Sequence, residues 1–215
     1  MFKTKTYRES IYFHICNKSI ANYRIFRTEN DILRFLTTLC FYNKAITMQS
    51  LSWTLKYRPD SISSEIFTKE AVNPIKFLAF CIMPDHYHLL LRINTSNFLS
   101  HYINQIENSY SRYFNTKYKR RGPLWQNVFR SRKILNNEQL LHVSRYIHLN
   151  PTSSNLIDKP DNWSFSSYKN YLNNDFLKEY LTEISITSSK EYQKFVEQNI
   201  DYQKDLHYMK KNFIE

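Results

Sequence analysis

The stretch Phe77-Leu-Ala-Phe-Cys-Ile-Met-Pro-Asp-His-Tyr-His-Leu-Leu-Leu-Arg-Ile-Asn94 narrows the folding options more than any other. Two apolar runs, each too short for a stable helix, are broken by Pro84-Asp85 and read as adjacent strands. Successive side chains in a strand alternate faces, so Tyr87, Leu89, Leu91 and Ile93 can fill a core. His86, His88, Leu90 and Arg92 then share the opposite face. Two imidazoles opening a buried strand make half of a metal site, or simply a hydrogen-bonded pair on a sheet face. Spacing alone leaves both readings standing.

Around this pair the chain punctuates itself. Ile11-Tyr-Phe-His-Ile-Cys-Asn17 has strand alternation, and Asn30-Asp31 starts a helix carrying Ile32, Phe35, Leu36 and Leu39 to about Asn43. Residues 44–72 show no clean period and read as an insertion or a short helix. A second helix from Asn97 carries Phe98, Tyr102, Ile106, Tyr110, Tyr113 and Phe114 as an apolar stripe. It ends in Lys117-Tyr-Lys-Arg-Arg-Gly122. Asn127–Leu135 alternates apolar and basic residues as a strand. Asn136-Asn137-Glu138 then caps a helix that runs to about Leu149 and stops at Pro151. The order β-α-β-β-α-β-α predicts an α+β domain of ferredoxin-like type, an antiparallel sheet with helices on one face. Its expected bounds are 1–155, with 156–215 as a docking segment and helical extension.

Charge limits the partners. Residues 1–172 hold 24 Lys+Arg against 11 Asp+Glu, whereas 173–215 hold 6 against 8. No acid occurs between Asn108 and Asn137, a span containing Arg112, Lys117, Lys119, Arg120, Arg121, Arg130, Arg132 and Lys133. Such a run fits a polyanion, with a merely solvated basic face as the bland alternative. One glycine in 215 residues excludes Gly-rich phosphate loops. Cys16, Cys40 and Cys81 are odd in number and sit in apolar contexts, as reduced core cysteines do. With no leader or membrane span in view, the expected location is cytoplasmic.

One helix carries a second polar constellation. In His142-Val-Ser-Arg-Tyr-Ile-His-Leu-Asn-Pro151, Leu140, Val143 and Ile147 should pack on the sheet. His142, Tyr146 and Asn150, spaced i, i+4, i+8, form an adjacent polar stripe. An isolated tyrosine here would read as amphipathic packing.

Met83-Pro-Asp-His-Tyr-His-Leu-Leu-Leu91 together with Tyr146-Ile-His-Leu-Asn-Pro151 resembles the HUH endonucleases, most of all the REP-associated single-tyrosine transposases. The likeness covers about residues 7–170 and extends to Ser109–Asn115, Arg120–Arg130 and Asp161-Asn-Trp-Ser-Phe-Ser-Ser-Tyr168. It implies His86 and His88 as metal ligands, Tyr146 as nucleophile, and Asn150 as a third ligand where some relatives carry Gln. The shorter Asn side chain suggests ligation through water. The implied cofactor is Mg²⁺ or Mn²⁺ and the implied partner is single-stranded, hairpin-forming DNA. The implied reaction is strand cleavage through a 5′-phosphotyrosine. A homodimer exchanging catalytic helices and a chain acting alone are both compatible with the resemblance.

DNA grip would come from the basic residues named above, with Trp125 and Phe129 interleaved for base stacking, or with Trp125 in the core. Tyr110 and Tyr113 compete as nucleophiles but fit a core stripe. The Trp163–Tyr168 aromatics read best as packing the extension onto the domain. The tail helix around Lys190–Lys211 could pack back or pair with a second copy. Two rival functions remain: a domesticated, non-catalytic nucleic-acid binder of this fold, and an unrelated zinc hydrolase. The hydrolase would need a further ligand, and strand geometry should turn Asp85 away.

Overall fold

The runs flanking Pro84-Asp85 pair as β2 (Ile75–Ile82) and β3 (His86–Ile93). This computed structural model describes residues 11–44, 49–62, 73–126, 128–173, 186 and 188–213. Strand β3 also pairs with β1 (Ile11–Lys18), and β1 with β4 (Arg130–Lys133). Every pairing is antiparallel, and the order among the described residues is β2-β3-β1-β4. Helix α1 (Glu29–Tyr42) lies between β1 and β2, and α3 (Phe98–Lys117) between β3 and β4. This is the expected ferredoxin-like α+β topology. Helix α2 (Leu51–Tyr57) is the short-helix alternative read for 44–72, while residues 45–48 and 63–72 lie outside the described set.

One sheet face follows the alternation. Tyr87, Leu89, Leu91 and Ile93 are fully buried against Phe35 and Leu39 of α1 and Tyr102, Ile106, Tyr110 and Phe114 of α3. The other face departs from the expectation of helices on one side only. Leu78, Ala79, Cys81 and Leu90 are buried beneath α4 (Asn137–Ser153), α5 (Tyr168–Asn173) and α6 (Ser189–Glu197). The reason lies in β3 itself: Leu90 is as apolar as its neighbours and needs its own cover. A bulge between Phe77 and Ala79 gives β2 one extra residue, so the strand contributes Phe77 to one core and both Leu78 and Ala79 to the other.

Three element ends differ from the sequence reading. Helix α1 is capped by Thr28, and Asp31 is the third helical residue of a capping box. Asp31 is fully buried and also accepts from Tyr113 Oη, Tyr118 Oη and Lys117 Nζ, tying the end of α3 to the start of α1. Helix α3 stops at Lys117, well before Gly122, because Lys119 takes a left-handed φ of 51°. Helix α4 continues to Ser153 with Pro151 inside its last turn. A proline there forfeits one hydrogen bond near an end that the amides of Ser154 and Leu156 close.

Beyond α4, residues 163–171 run along the outer edge of β2. The amide of Ile82 donates to Phe165 O, that of Ser167 to Phe80 O, and the Trp163 indole to Ile82 O. Tyr168 and Tyr171 are fully buried, so the packing reading of this aromatic cluster is the one found. The tail packs back: Tyr192 and Val196 of α6 join the core under α4, and α7 (Ile200–Phe213) lies along α4. No helix among the described residues is long and apolar enough to cross a membrane.

Candidate active site

Register builds the site. Across the sheet, Cys81, His88, Cys16 and Arg130 fall in one row, and Ala79, Leu90, His14 and Arg132 in the next. Strand period puts all eight on one face, so β1 delivers His14 and Cys16 beside the β3 imidazoles. Helix α4 lays Tyr146 over them. Its ring stands edge-on to His88 at 5.5 Å and to His14 at 5.9 Å between centroids. The strand pair and the helix motif, 58 residues apart in sequence, thus meet in space.

Each β3 histidine is held by a partner through Nδ1. Asp85 Oδ1 lies 2.6 Å from His86 Nδ1, and His14 Nε2 lies 2.9 Å from His88 Nδ1. Asp85 therefore does not turn away, as strand geometry suggested. It sits in the turn before β3, where its amide oxygen is held by Ser19 N, and its carboxylate also faces Lys18 Nζ at 3.6 Å. Burial works against ionising this carboxyl, but His86 and Lys18 hold it below the ordinary value. Burial drives His88 well below the usual imidazole range, aided by His14 and His86, and lowers His14 to about 4 with help from Arg132. Both rings are neutral at neutral pH and keep a lone pair for a cation.

Burial raises the Tyr146 phenol, while a hydrogen bond from the Asn150 side chain one turn on pulls it down. Asn150 is itself buried. His142, the third member of the sequence stripe, is exposed and faces Arg145, Glu138 and Phe195 instead. The competing tyrosines are occupied in the core: Tyr110 Oη donates to Ile25 O and Tyr113 Oη to Asp31.

On the far side of the sheet a half-buried carboxyl braces the histidine end. Glu107 Oε1 accepts from Tyr87 Oη at 2.7 Å and Asn17 Nδ2 at 2.8 Å, and its backbone oxygen accepts the Trp125 indole. Burial pushes Glu107 up to about 7, against the two hydrogen bonds it receives.

The basic set divides. Arg112, Lys119, Arg121, Arg130, Arg132 and Lys133 are exposed, with Arg130 and Arg132 on the tyrosine face of the sheet. Arg120 spends its guanidinium on Asn115 and the carbonyls of Gly122 and Pro123. Lys117 is 2.7 Å from Asp31 and serves the α1–α3 junction, so it is not a spare phosphate contact. Trp125 is buried among Phe26, Phe35, Tyr87 and Tyr110. No base can stack on it, and its core reading is the one found.

Sequence reasoning missed His14, Cys16 and Asp85. The alternation of β1 already put His14 and Cys16 on one face, but nothing local tells which strand lies alongside. Together His14, Cys16 and His88 place one donor atom each within 4.8 Å of the others, a cluster able to hold a metal ion.

Residues 48–150 match the family model described as transposase IS200-like, from α2 through Asn150. That stretch of the chain is similar to the IS200-like transposases. A Haemophilus influenzae protein provisionally named REP-associated tyrosine transposase is 29% identical over 107 residues, 44% of this chain and 60% of that one. A solved structure of a REP-associated tyrosine transposase bound to a REP hairpin aligns with a TM-score of 0.54. It shares 16% identity over 82% of this chain and 87% of the other, a likeness of fold. Strand β1, with His14 and Cys16, precedes the matched region.

Proposed function

We propose that this chain cleaves and rejoins single-stranded, hairpin-bearing DNA through Tyr146, with His86 and His88 as metal ligands. The observation that carries the reading is Tyr146 standing edge-on over His88 on the strand that His86 opens. The hairpin-bound relative supports the choice of substrate.

The donor set fits a divalent cation. With Nδ1 of His86 engaged by Asp85 and Nδ1 of His88 by His14, the Nε2 atoms are the ligand positions, and the partners fix both rings. Asn150 adds an amide oxygen, directly or through water. A bound Mg²⁺ or Mn²⁺ would draw charge from the scissile phosphate. The residues do the rest. Tyr146 Oη bonds to phosphorus as the P–O3′ bond breaks, the phenol loses its proton, and the departing 3′ oxygen gains one. The phosphotyrosyl link retains the bond energy for rejoining without a nucleotide cofactor. Arg130 and Arg132, exposed on the same face, are placed to hold flanking phosphates with Arg112, Lys119, Arg121 and Lys133. Tyr146 stands over His88 and His14 of its own chain, which supports cleavage by a single chain.

Incubation with hairpin-forming single strands and Mn²⁺, followed by a denaturing protein gel, tests the reading. A slower-migrating adduct that disappears in Tyr146→Phe and His86→Ala is expected. Tight binding with no adduct under either metal would leave a non-catalytic binder of the same fold.

A further inference from the structure

We propose that His14, Cys16 and His88 form a second cation site, selective for late, thiolate-tolerant divalent ions of the zinc class, that switches the catalytic histidine pair off. The switching half rests on the function proposed above; the site itself does not.

The geometry is close to what such an ion needs. Ligand atoms of a tetrahedral zinc lie roughly 3.3–3.6 Å apart, given bonds of about 2.0–2.1 Å to nitrogen and 2.3 Å to sulfur. Here His14 Nε2 and His88 Nδ1 are 2.9 Å apart, and Cys16 Sγ is within 4.8 Å of one ring nitrogen of each histidine. Small side-chain rotations open the pair and bring the sulfur in. Two imidazoles and a thiol supply no oxygen, which disfavours Mg²⁺ and Mn²⁺ and favours Zn²⁺ or Co²⁺. Arg130 and Arg132 face this cluster from β4 and oppose a bare dication, and burial raises the Cys16 thiol against the pull of Arg130. The site therefore needs an ion that binds sulfur strongly enough to displace the thiol proton, and the thiolate then offsets one of the ion's two charges.

The switching follows from the chemistry of imidazole. A neutral ring has one lone pair. In the proposed catalytic state it is on Nε2 of His88, and Nδ1–H donates to His14. An ion bound at Nδ1 uses the lone pair there, so the ring proton moves to Nε2 and that atom becomes a donor. The Cys16 thiol proton leaves to solvent. His88 can therefore serve one edge or the other, and occupancy on the β1 side disarms the pair on the Tyr146 side.

Titration of the full chain with Co²⁺ alone tests the site. A thiolate-to-cobalt charge-transfer band at one equivalent is expected, retained in Cys81→Ala and abolished in Cys16→Ser. Binding in His14→Ala should weaken beyond the roughly 10–100-fold typical of outer-shell partners. Absence of the band in the unmodified chain, or its persistence in Cys16→Ser, overturns the site. Because variants of β1 can misfold, Zn²⁺ protection of Cys16 against alkylation, read by mass spectrometry on the unmodified chain, gives a second measure; no protection also overturns it. The switch is read as adduct yield with Mn²⁺, with and without Zn²⁺, each protein compared with itself. Zinc should depress the yield severalfold, and Cys16→Ser should relieve this. Unchanged yield in the unmodified chain overturns the switch. A chain that gives the cobalt band but no adduct under any metal refutes the proposed cleavage while leaving the site intact.

Discussion

The two faces of one strand behave differently. On the α1/α3 side, β3 presents Tyr87, Leu89, Leu91 and Ile93 with no exposure, packed into a continuous aromatic and aliphatic core. On the α4 side the same strand begins with half-buried His86, passes through buried His88, and ends with half-buried Arg92. The sealed face fixes the backbone, and the open end of the other face uses that fixed backbone to hold polar groups at defined distances. A site built on a strand core-packed behind it gains precision that a loop does not offer.

Breaking the open face should cost function and little stability. Tyr146→Phe removes one hydroxyl and should lower adduct formation by about 10³-fold or more, with the thermal midpoint nearly unchanged. A denaturing gel and a melting curve check both halves; an equal adduct in the variant would end the assignment.

Breaking the sealed face should do the reverse. Leu89→Ala leaves a cavity behind the histidines and should cost about 2–5 kcal/mol in a urea titration. Cleavage per folded molecule should fall far less than in Tyr146→Phe.

A pH series sharpens the contrast, because Glu107 braces the sealed side. Its folded value of about 7 lies above the ordinary carboxyl value of 4.5, so the folded chain binds more protons between those limits. The Glu107 contribution to stability should therefore decline as pH rises through that window and level off above it, by on the order of 2 kcal/mol. His14, His88 and His148 act in the opposite direction, since their depressed values favour the folded chain as pH rises toward 6.5. Glu107→Gln, which still accepts from Tyr87 or Asn17, should remove the Glu107 contribution. The urea midpoint of the variant minus that of the unmodified chain should then rise from pH 5 to 7 and level off.

The smallest effect belongs to the rim. Arg132→Ala should weaken hairpin binding a fewfold and reduce the slope of log affinity against log salt by about 1. A slope identical to the unmodified chain would remove Arg132 from the interface.

Much of the fold and part of the site were legible from local pattern. The period of two in 86–93 assigned faces to His86, His88, Tyr87 and Leu89, and the i, i+4 spacing put Tyr146 and Asn150 on one side of a helix. Burial was harder to read. Trp125 and Lys117 lie in a basic, aromatic run that looks like a DNA-binding surface, yet one fills the core and the other pairs with Asp31. Composition describes a segment, while partners come from segments far away: Glu107 binds the Trp125 indole and Asp31 lies 86 residues before Lys117.

The sequence by itself determined the alternating strands, the amphipathic helices, the order of elements, and the two motifs that resemble a tyrosine transposase. Only the tertiary structure decided that β1 lies beside β3 in the register opposing Cys16 to His88, and that His14 reaches the His88 ring. It also decided that an extra residue in β2 lets that strand serve both cores, and that Asp85 bends back onto His86. The physical reason is common to all four. Backbone periodicity is a local property, whereas strand register, bulges and second partners are set by how separate segments fill shared space, and no single segment carries that information.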